Sequence, residues 1–179
     1  MMNAKNELIL VLGGARSGKS SWAQGHTEAH YPSRLFLATA RILDDEMAER
    51  VRQHRASRGP QWGLIEEPLE IAEALKNRCR HVEVVLVDCL TVWLSNVLVE
   101  KGENEVPRYQ EELLEVLEAR QSSVVLVSNE VGMGIVPETP LGRGFRDMAG
   151  RLNQKIAAMA DRVVFLVAGL TMILKGDAR

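Results

Sequence analysis

The stretch Gly13-Gly14-Ala15-Arg16-Ser17-Gly18-Lys19-Ser20 directly follows the apolar run Leu8-Ile9-Leu10-Val11-Leu12. It has the pattern G-x-x-x-x-G-K-[ST] of a phosphate-binding loop. Glycine lets backbone N–H groups turn inward on phosphate oxygens, Lys19 reaches the outer phosphates, and Ser20 supplies a hydroxyl to Mg²⁺. Residues 21–29 read as a helix whose N-terminus favours an anion. The order of strand, loop and helix predicts a nucleoside triphosphate site, although a glycine-rich turn that binds no phosphate can match the same pattern.

The composition is typical of a soluble globular chain. Its 179 residues are 46% hydrophobic and 26% charged, with a net charge of -2. These values predict one domain over residues 1–179 and argue against nucleic acid as a partner. No apolar run approaches the roughly 18 residues of a membrane span, and the first residues do not have the pattern of a signal peptide. Two cysteines, Cys79 and Cys89, lack the paired spacing of a zinc site and favour a reducing, cytoplasmic compartment.

Short apolar runs alternate with segments that are long enough for helices. The runs that indicate strands are residues 8–12, 35–38, 82–87, 124–127 and 163–167. Helices are expected over residues 21–29, 44–58, 69–75, 91–99, 107–120 and 145–160, and a glycine- and proline-rich loop over residues 129–144. This alternation predicts an α/β fold of the phosphate-loop NTPase type, a mostly parallel sheet flanked by helices in a single domain. Ligands are expected at the carboxyl ends of the strands.

The run Val84-Val85-Leu86-Val87-Asp88 has the form of a second nucleotide-binding element, an apolar strand that ends in a carboxylate. Downstream of a phosphate loop, this favours Asp88 near Mg²⁺ over an ordinary aspartate at a strand end. The guanine-specificity motif Asn-Lys-x-Asp of GTPase switches is absent from the sequence. We therefore do not expect a signalling switch.

His54 is one of four histidines and has Arg50, Arg55 and Arg58 close in sequence. From the pattern alone, a structural histidine is the default interpretation. A neutral imidazole is nevertheless a competent nucleophile toward phosphorus, and nearby arginines would stabilise the charge of a triphosphate. Both interpretations of His54 stay open at this point.

Further motifs follow the phosphate loop in order along the chain. They are Ala38-Thr39-Ala40, Asp44-Asp45-Glu46-Met47 with Arg50-Val51-x-x-His54, Asp88-Cys89-Leu90-Thr91, and Asn129-Glu130-Val131-Gly132-Met133-Gly134-Ile135-Val136-Pro137. In this combination the chain resembles the bifunctional adenosylcobinamide kinase/adenosylcobinamide-phosphate guanylyltransferase family of cobalamin biosynthesis. The resemblance extends from about residue 8 to residue 169.

The resemblance implies two reactions. ATP or GTP would phosphorylate the aminopropanol hydroxyl of adenosylcobinamide, and GTP would then give GMP to His54 and on to adenosylcobinamide phosphate, with release of pyrophosphate. The resemblance also implies Lys19 and His54 as catalytic residues, Mg²⁺ at Ser20 and Asp88, and a homo-oligomer with a trimer as the candidate state. The nucleotide contacts that it implies are Gly13, Gly14, Ala15, Arg16, Ser17, Gly18, Lys19, Ser20, Ala38, Thr39, Ala40, Arg55, Ala56, Ser57, Arg58, Glu66 and Asp88.

Two rival hypotheses fit the phosphate loop alone. One is a plain small-molecule kinase in which His54 is structural, and the other is a nucleotide-gated binding module whose partner contacts the loop 129–144. Stimulation of γ-phosphate transfer by cobinamide separates the kinase from the module. Label from the α-phosphate of GTP on the protein separates the bifunctional enzyme from both.

Overall fold

The computed structural model describes residues 6–41, 59 and 61–177. The described strands are β1 (Leu8–Gly13), β2 (Arg34–Ala38), β3 (Trp62–Glu66), β4 (Val84–Asp88), β5 (Ser123–Asn129), β6 (Arg162–Val167) and β7 (Leu170–Lys175). They form one seven-stranded sheet in the order β3-β2-β4-β5-β1-β6-β7. All neighbouring strands pair in parallel except β6 and β7, which are antiparallel. The predicted α/β fold with a mostly parallel sheet is confirmed.

The described residues form five α-helices. They are α1 (Lys19–His30), α2 (Ile71–Asn77), α3 (Leu90–Lys101), α4 (Val106–Glu118) and α5 (Pro140–Met159), with a short 3₁₀ turn at Glu103–Glu105. The helix expected over residues 44–58 lies outside the described residues. No described helix is long and apolar enough to cross a membrane.

Helices cover both faces of the sheet, which explains why its inner strands contain continuous apolar runs. Leu8, Leu10 and Leu12 of β1 pack in the core that includes α2, α3, α4 and α5. Ile9 and Val11, which alternate with them, pack with Ala23 of α1 on the opposite face. A strand with one exposed face alternates between apolar and polar residues, whereas a strand buried on both faces is apolar at successive positions. An uninterrupted apolar run is therefore the sequence pattern that predicts these inner strands.

The sheet has two edge strands that the apolar runs did not predict. In β3, only Ile65 is buried, so the strand lacks a continuous apolar signal. In β7, every residue is exposed. It is joined to β6 through Ala168 and Gly169, whose φ values of 52° and 80° are both positive, as in a tight hairpin turn. Alanine is not a residue that signals such a turn, because its Cβ disfavours positive φ.

The helix α5 begins earlier than expected. We expected residues 129–144 to be a loop, whereas the helix starts at Pro140 and includes Gly142 and Gly144. Thr139 caps it, since its Oγ1 accepts a hydrogen bond from Gly142 N at 3.1 Å. A capping threonine followed by proline at the first helical position is a strong start signal. It outweighs the two glycines, each of which costs about 1 kcal/mol relative to alanine within a helix.

Candidate functional site

The phosphate loop connects β1 to α1 at the carboxyl edge of the sheet. Gly13 has a φ of 150°, and an added Cβ would lie 2.5 Å from the carbonyl oxygen of Leu166 and 2.7 Å from Ser17 Oγ. Gly18 has a φ of 98° and is the N-cap of α1, where no side chain caps the helix. Both glycines are therefore required by backbone conformation. The uncapped first turn of α1 offers N–H donors and partial positive charge to an anion.

Lys19 is the buried cation of this loop. Its side chain is 7% exposed, and its Nζ donates a hydrogen bond to Gly14 O at 2.5 Å. Burial lowers the pKa of Lys19, and the charges of Cys89 and Asp88 act in the opposite direction. The influence of Asp88 on this pKa means that the end of β4 lies within electrostatic reach of the phosphate loop.

Strand pairing brings the other candidate residues to the same edge. Asp88 ends β4 in register with Ala38 at the end of β2, and Ala38 is in register with Glu66 at the end of β3. On the other side, β5 lies between β4 and β1, and its last residue Asn129 is in register with Gly13. Because these strands are parallel, their carboxyl ends form one continuous rim.

Thr39 holds the turn that follows Asp88. It is completely buried, and its Oγ1 donates to Cys89 O and accepts from Cys89 N, each at 2.8 Å. Asn96 Nδ2 in turn donates to Thr39 O at 2.9 Å. Burial, with a contribution from the charge of Asp88, raises the pKa of the Cys89 thiol to about 11. The Thr39 side chain therefore serves the scaffold, and its neighbours Ala38 and Ala40 are the partly exposed members of the predicted contact segment.

Two polar residues outside the predicted site, Thr91 and Asn153, hold Asn129 at the end of β5. Thr91 Oγ1 accepts a hydrogen bond from Asn129 N at 2.7 Å, and Asn153 Nδ2 donates to Asn129 O at 3.2 Å. Thr91 and Asn129 both belong to motifs of the sequence, but the motifs do not predict that two residues 38 positions apart form a hydrogen bond. Asn153 lies within α5, where spacing cannot separate a surface residue from a buried one.

Of the remaining predicted residues, Ser17 is buried and Ser20 is partly buried, and the others divide into two groups. Gly14, Ala15, Arg16 and Glu66 are exposed at the rim, and Arg16 has a positive φ of 55°. His54, Arg55, Ala56, Ser57 and Arg58 lie outside the described residues.

Ser20 and Asp88 are the two residues that the sequence predicts as Mg²⁺ ligands. Within residues 6–41 and 61–177, no group of three or more His, Cys, Asp and Glu side chains is arranged to hold a metal ion. Ser20 and Asp88 offer a hydroxyl and a carboxylate, which are the hard oxygen donors that Mg²⁺ takes together with nucleotide phosphates.

Comparison with known proteins gives a consistent result over nearly the whole chain. Residues 9–174 match the family model described as cobinamide kinase / cobinamide phosphate guanyltransferase. The bifunctional adenosylcobalamin biosynthesis protein CobP of Pseudomonas aeruginosa is 44% identical over 168 residues, which are 94% of this chain and 97% of the relative. Its counterpart CobU of Escherichia coli is 41% identical over 184 residues, 94% of this chain and 99% of the relative.

Comparison with solved structures supports the fold of the chain and nothing further. A protein from Pyrococcus horikoshii OT3 has a TM-score of 0.55 and 9% sequence identity to this chain. The match covers 96% of this chain and 87% of that one.

Proposed function

The chain belongs to the cobinamide kinase / cobinamide phosphate guanyltransferase family, and from that premise we propose how its residues divide the two reactions. It is a bifunctional enzyme of adenosylcobalamin biosynthesis, acting as cobinamide kinase and as cobinamide phosphate guanylyltransferase. The observation that carries the residue assignment is the position of the phosphate loop and Asp88 at one edge of the sheet, with the ammonium of Lys19 in reach of Asp88.

In the kinase step, residues 13–20 hold the triphosphate of ATP or GTP, and Lys19 contacts the outer phosphates. Ser20 and Asp88 would hold Mg²⁺, which offsets phosphate charge when bound. The hydroxyl oxygen of cobinamide attacks the γ-phosphorus, and its proton passes to water. The bond from that phosphorus to the bridging oxygen breaks, and the nucleoside diphosphate leaves with the electron pair.

In the second step, His54 is the nucleophile. A neutral imidazole nitrogen attacks the α-phosphorus of GTP, pyrophosphate leaves, and a guanylyl-histidine forms. With an ordinary pKa of about 6.5, histidine is mostly neutral near pH 7.5 and able to attack. A phosphate oxygen of cobinamide phosphate then attacks the same phosphorus and releases the imidazole. Ala38, Ala40, Glu66 and residues 55–58 are the proposed further nucleotide contacts.

The covalent step has a direct test. The purified protein is incubated with Mg²⁺ and GTP labelled on the α-phosphate, denatured, and examined for bound label. We expect label that is acid-labile and alkali-stable, as a phosphoramidate is, and that is absent from His54→Ala. The exposed His81 gives the matched control, and His81→Ala is expected to keep the label.

The same variants separate the two activities. His54→Ala is expected to retain γ-phosphate transfer to cobinamide, because the kinase step does not use the imidazole. If the wild-type protein binds GTP but acquires no label, His54 is not the nucleophile, and the result would favour the plain kinase hypothesis.

We further propose a homo-oligomer, with a trimer as the candidate state, and a cytoplasmic location. The support for self-association is β7, an edge strand whose residues are all exposed although four of the six are large and apolar. The support for the compartment is that Cys79 and Cys89 are both free thiols. The assignment of residues 1–179 to one domain also stays a proposal.

A further inference from the structure

A cleft of about 560 Å³ lies between the loop after β5 and one side of α5. Its lining includes Leu12 of β1, Glu130 and Gly132 of the loop, and Arg146, Gly150 and Asn153 of α5. The backbone N–H of Glu130 donates to Gly13 O at 3.0 Å, so the cleft adjoins the first residue of the phosphate loop. A molecule in this cleft would lie beside a nucleotide held by that loop.

Two residues of the cleft lining, Asn153 and Arg146, carry polar groups that the described part of the chain does not satisfy. Asn153 is 5% exposed, and although its Nδ2 donates to Asn129 O, its Oδ1 has no hydrogen-bond partner among the described residues. A buried oxygen without a donor is costly, and a bound N–H or O–H group would satisfy it. Arg146 is a partly buried residue, and its side chain likewise makes no hydrogen bond or ion pair within residues 6–41 and 61–177. By contrast, the neighbouring Arg151 already contacts Asp147, at 3.9 Å.

Apolar side chains extend from the cleft along the same loop. Met133 is 80% exposed and Ile135 is 97% exposed, and Val136 of the loop and Leu141 at the start of α5 are exposed as well. The loop contributes Glu130 and Gly132 to the cleft lining, so the apolar surface and the polar cleft are continuous. Such a surface fits a ligand with a large body and a short polar arm that carries hydrogen-bond donors and, at one stage, negative charge.

We propose that this cleft is the acceptor subsite, which binds the amide-linked alcohol arm of the corrinoid in the kinase step and its phosphate monoester in the guanylyl-transfer step. This inference rests on the proposed function. Asn153 Oδ1 accepts a hydrogen bond from the arm, Arg146 pairs with the phosphate that the first step creates, and the exposed loop contacts the macrocycle. One cleft beside the phosphate loop then keeps the arm in place for both reactions.

The first test removes the charge of Arg146. Arg146→Gln is expected to raise the KM for cobinamide phosphate by about tenfold or more, because a charge-assisted pair with a dianion is lost. The KM for cobinamide, whose hydroxyl is neutral, should rise less than about threefold. The KM for GTP should not change. Arg108→Gln, on α4 and paired with Glu105 and Glu112, is the matched control and should leave all three values unchanged.

The second test fills the cleft without touching its charges. Gly150 is helical, and an added Cβ would meet nothing within 4 Å, so Gly150→Leu should fold normally and place its side chain in the cleft. Both corrinoid KM values should rise by about tenfold or more while GTP binding persists. Gly25→Leu is the matched control, since Gly25 is an equally open helical glycine on α1, across the sheet.

The outcomes distinguish the subsite from the function. If the wild-type protein converts cobinamide but Gly150→Leu and Arg146→Gln leave the corrinoid KM values unchanged, the subsite is wrong and the function stands. A rise in the KM for GTP equal to the rise for the corrinoid would also overturn the subsite, because it would place the nucleotide in this cleft. A wild-type protein without activity on cobinamide would refute the proposed function itself.

Discussion

Lys19 illustrates what a single residue contributes to this site. Its ammonium is buried within the phosphate loop, where it donates to Gly14 O and responds to the charge of Asp88. Arg16 lies in the same loop but is exposed. A charge fixed in a buried position stabilises transferring phosphates more than a mobile charge in water does.

We therefore expect Lys19→Met to be the more damaging of two substitutions. It should lower kcat/KM for the nucleotide by about a hundredfold or more, which is about 3 kcal/mol of transition-state stabilisation. Arg16→Gln should lower the same constant by about tenfold at most. Steady-state kinetics of cobinamide phosphorylation over a range of ATP and GTP concentrations measures both. Equal losses, or a larger loss for Arg16→Gln, would contradict this ranking.

At the scale of an element, α1 carries a stack of rings along one side. The rings of Trp22 and His26 are 4.9 Å apart and nearly parallel, and those of His26 and His30 are 4.2 Å apart. Burial lowers the pKa of His26 to about 4, with smaller contributions from the charges of His30 and Arg162. The folded protein thus keeps His26 neutral at a pH where the unfolded chain protonates it.

The resulting pH dependence has a definite sign. The folded pKa lies below the unfolded value of 6.5, so the stability is complete above pH 6.5 and is lost as the pH falls toward 4. Between pH 7.5 and pH 5, His26 should account for about 2 kcal/mol of lost unfolding free energy. His26→Phe keeps an aromatic ring in the stack and should remove that part of the loss. Urea unfolding of both proteins at the two pH values measures the difference, and an equal loss in both would contradict this account.

At the scale of the whole molecule, the two edges of the sheet differ. The β3 edge exposes Leu64 as its one large apolar side chain among the described residues of that strand, whereas β7 exposes Leu170, Met172, Ile173 and Leu174. The turn before β7 also contacts the nucleotide loop, since Gly169 N donates to Ser17 O at 3.0 Å. A second copy of the chain packed on β7 would therefore bury apolar surface close to the active site.

We expect the wild-type protein to run as a multiple of its 19.9 kDa chain in size-exclusion chromatography with light scattering. Leu170 and Met172 lie two positions apart in the regularly paired part of β7 and so on one face of it. Replacing both with lysine should give the single-chain mass, because charge would have to be buried in the contact. Leu64→Lys on the opposite edge is the control and should keep the oligomer. A single-chain mass for the wild-type protein, or dissociation by Leu64→Lys alone, would rule out this interface.

Local sequence was sufficient for the phosphate loop, the buried parallel strands and the fold class. The reason is that each of these signals lies within a few neighbouring residues. Gly13 and Gly18 are required by their own backbone angles, and strands covered on both faces are apolar throughout. The function was predicted from the family motifs. The roles of His54 and residues 55–58 were predicted from the same motifs and stay predictions.

Tertiary structure was needed for the edge strand β3, the scaffold role of Thr39 and the cleft around Asn153. In each case the deciding contact joins residues far apart in the chain, such as Thr39 and Cys89 or Asn129 and Asn153. Whether a polar side chain is exposed or buried, and whether its hydrogen bonds are satisfied, depends on which element packs over it. Which element packs over a given side chain is decided by the whole sheet and its helices, and it cannot be predicted from a local sequence pattern.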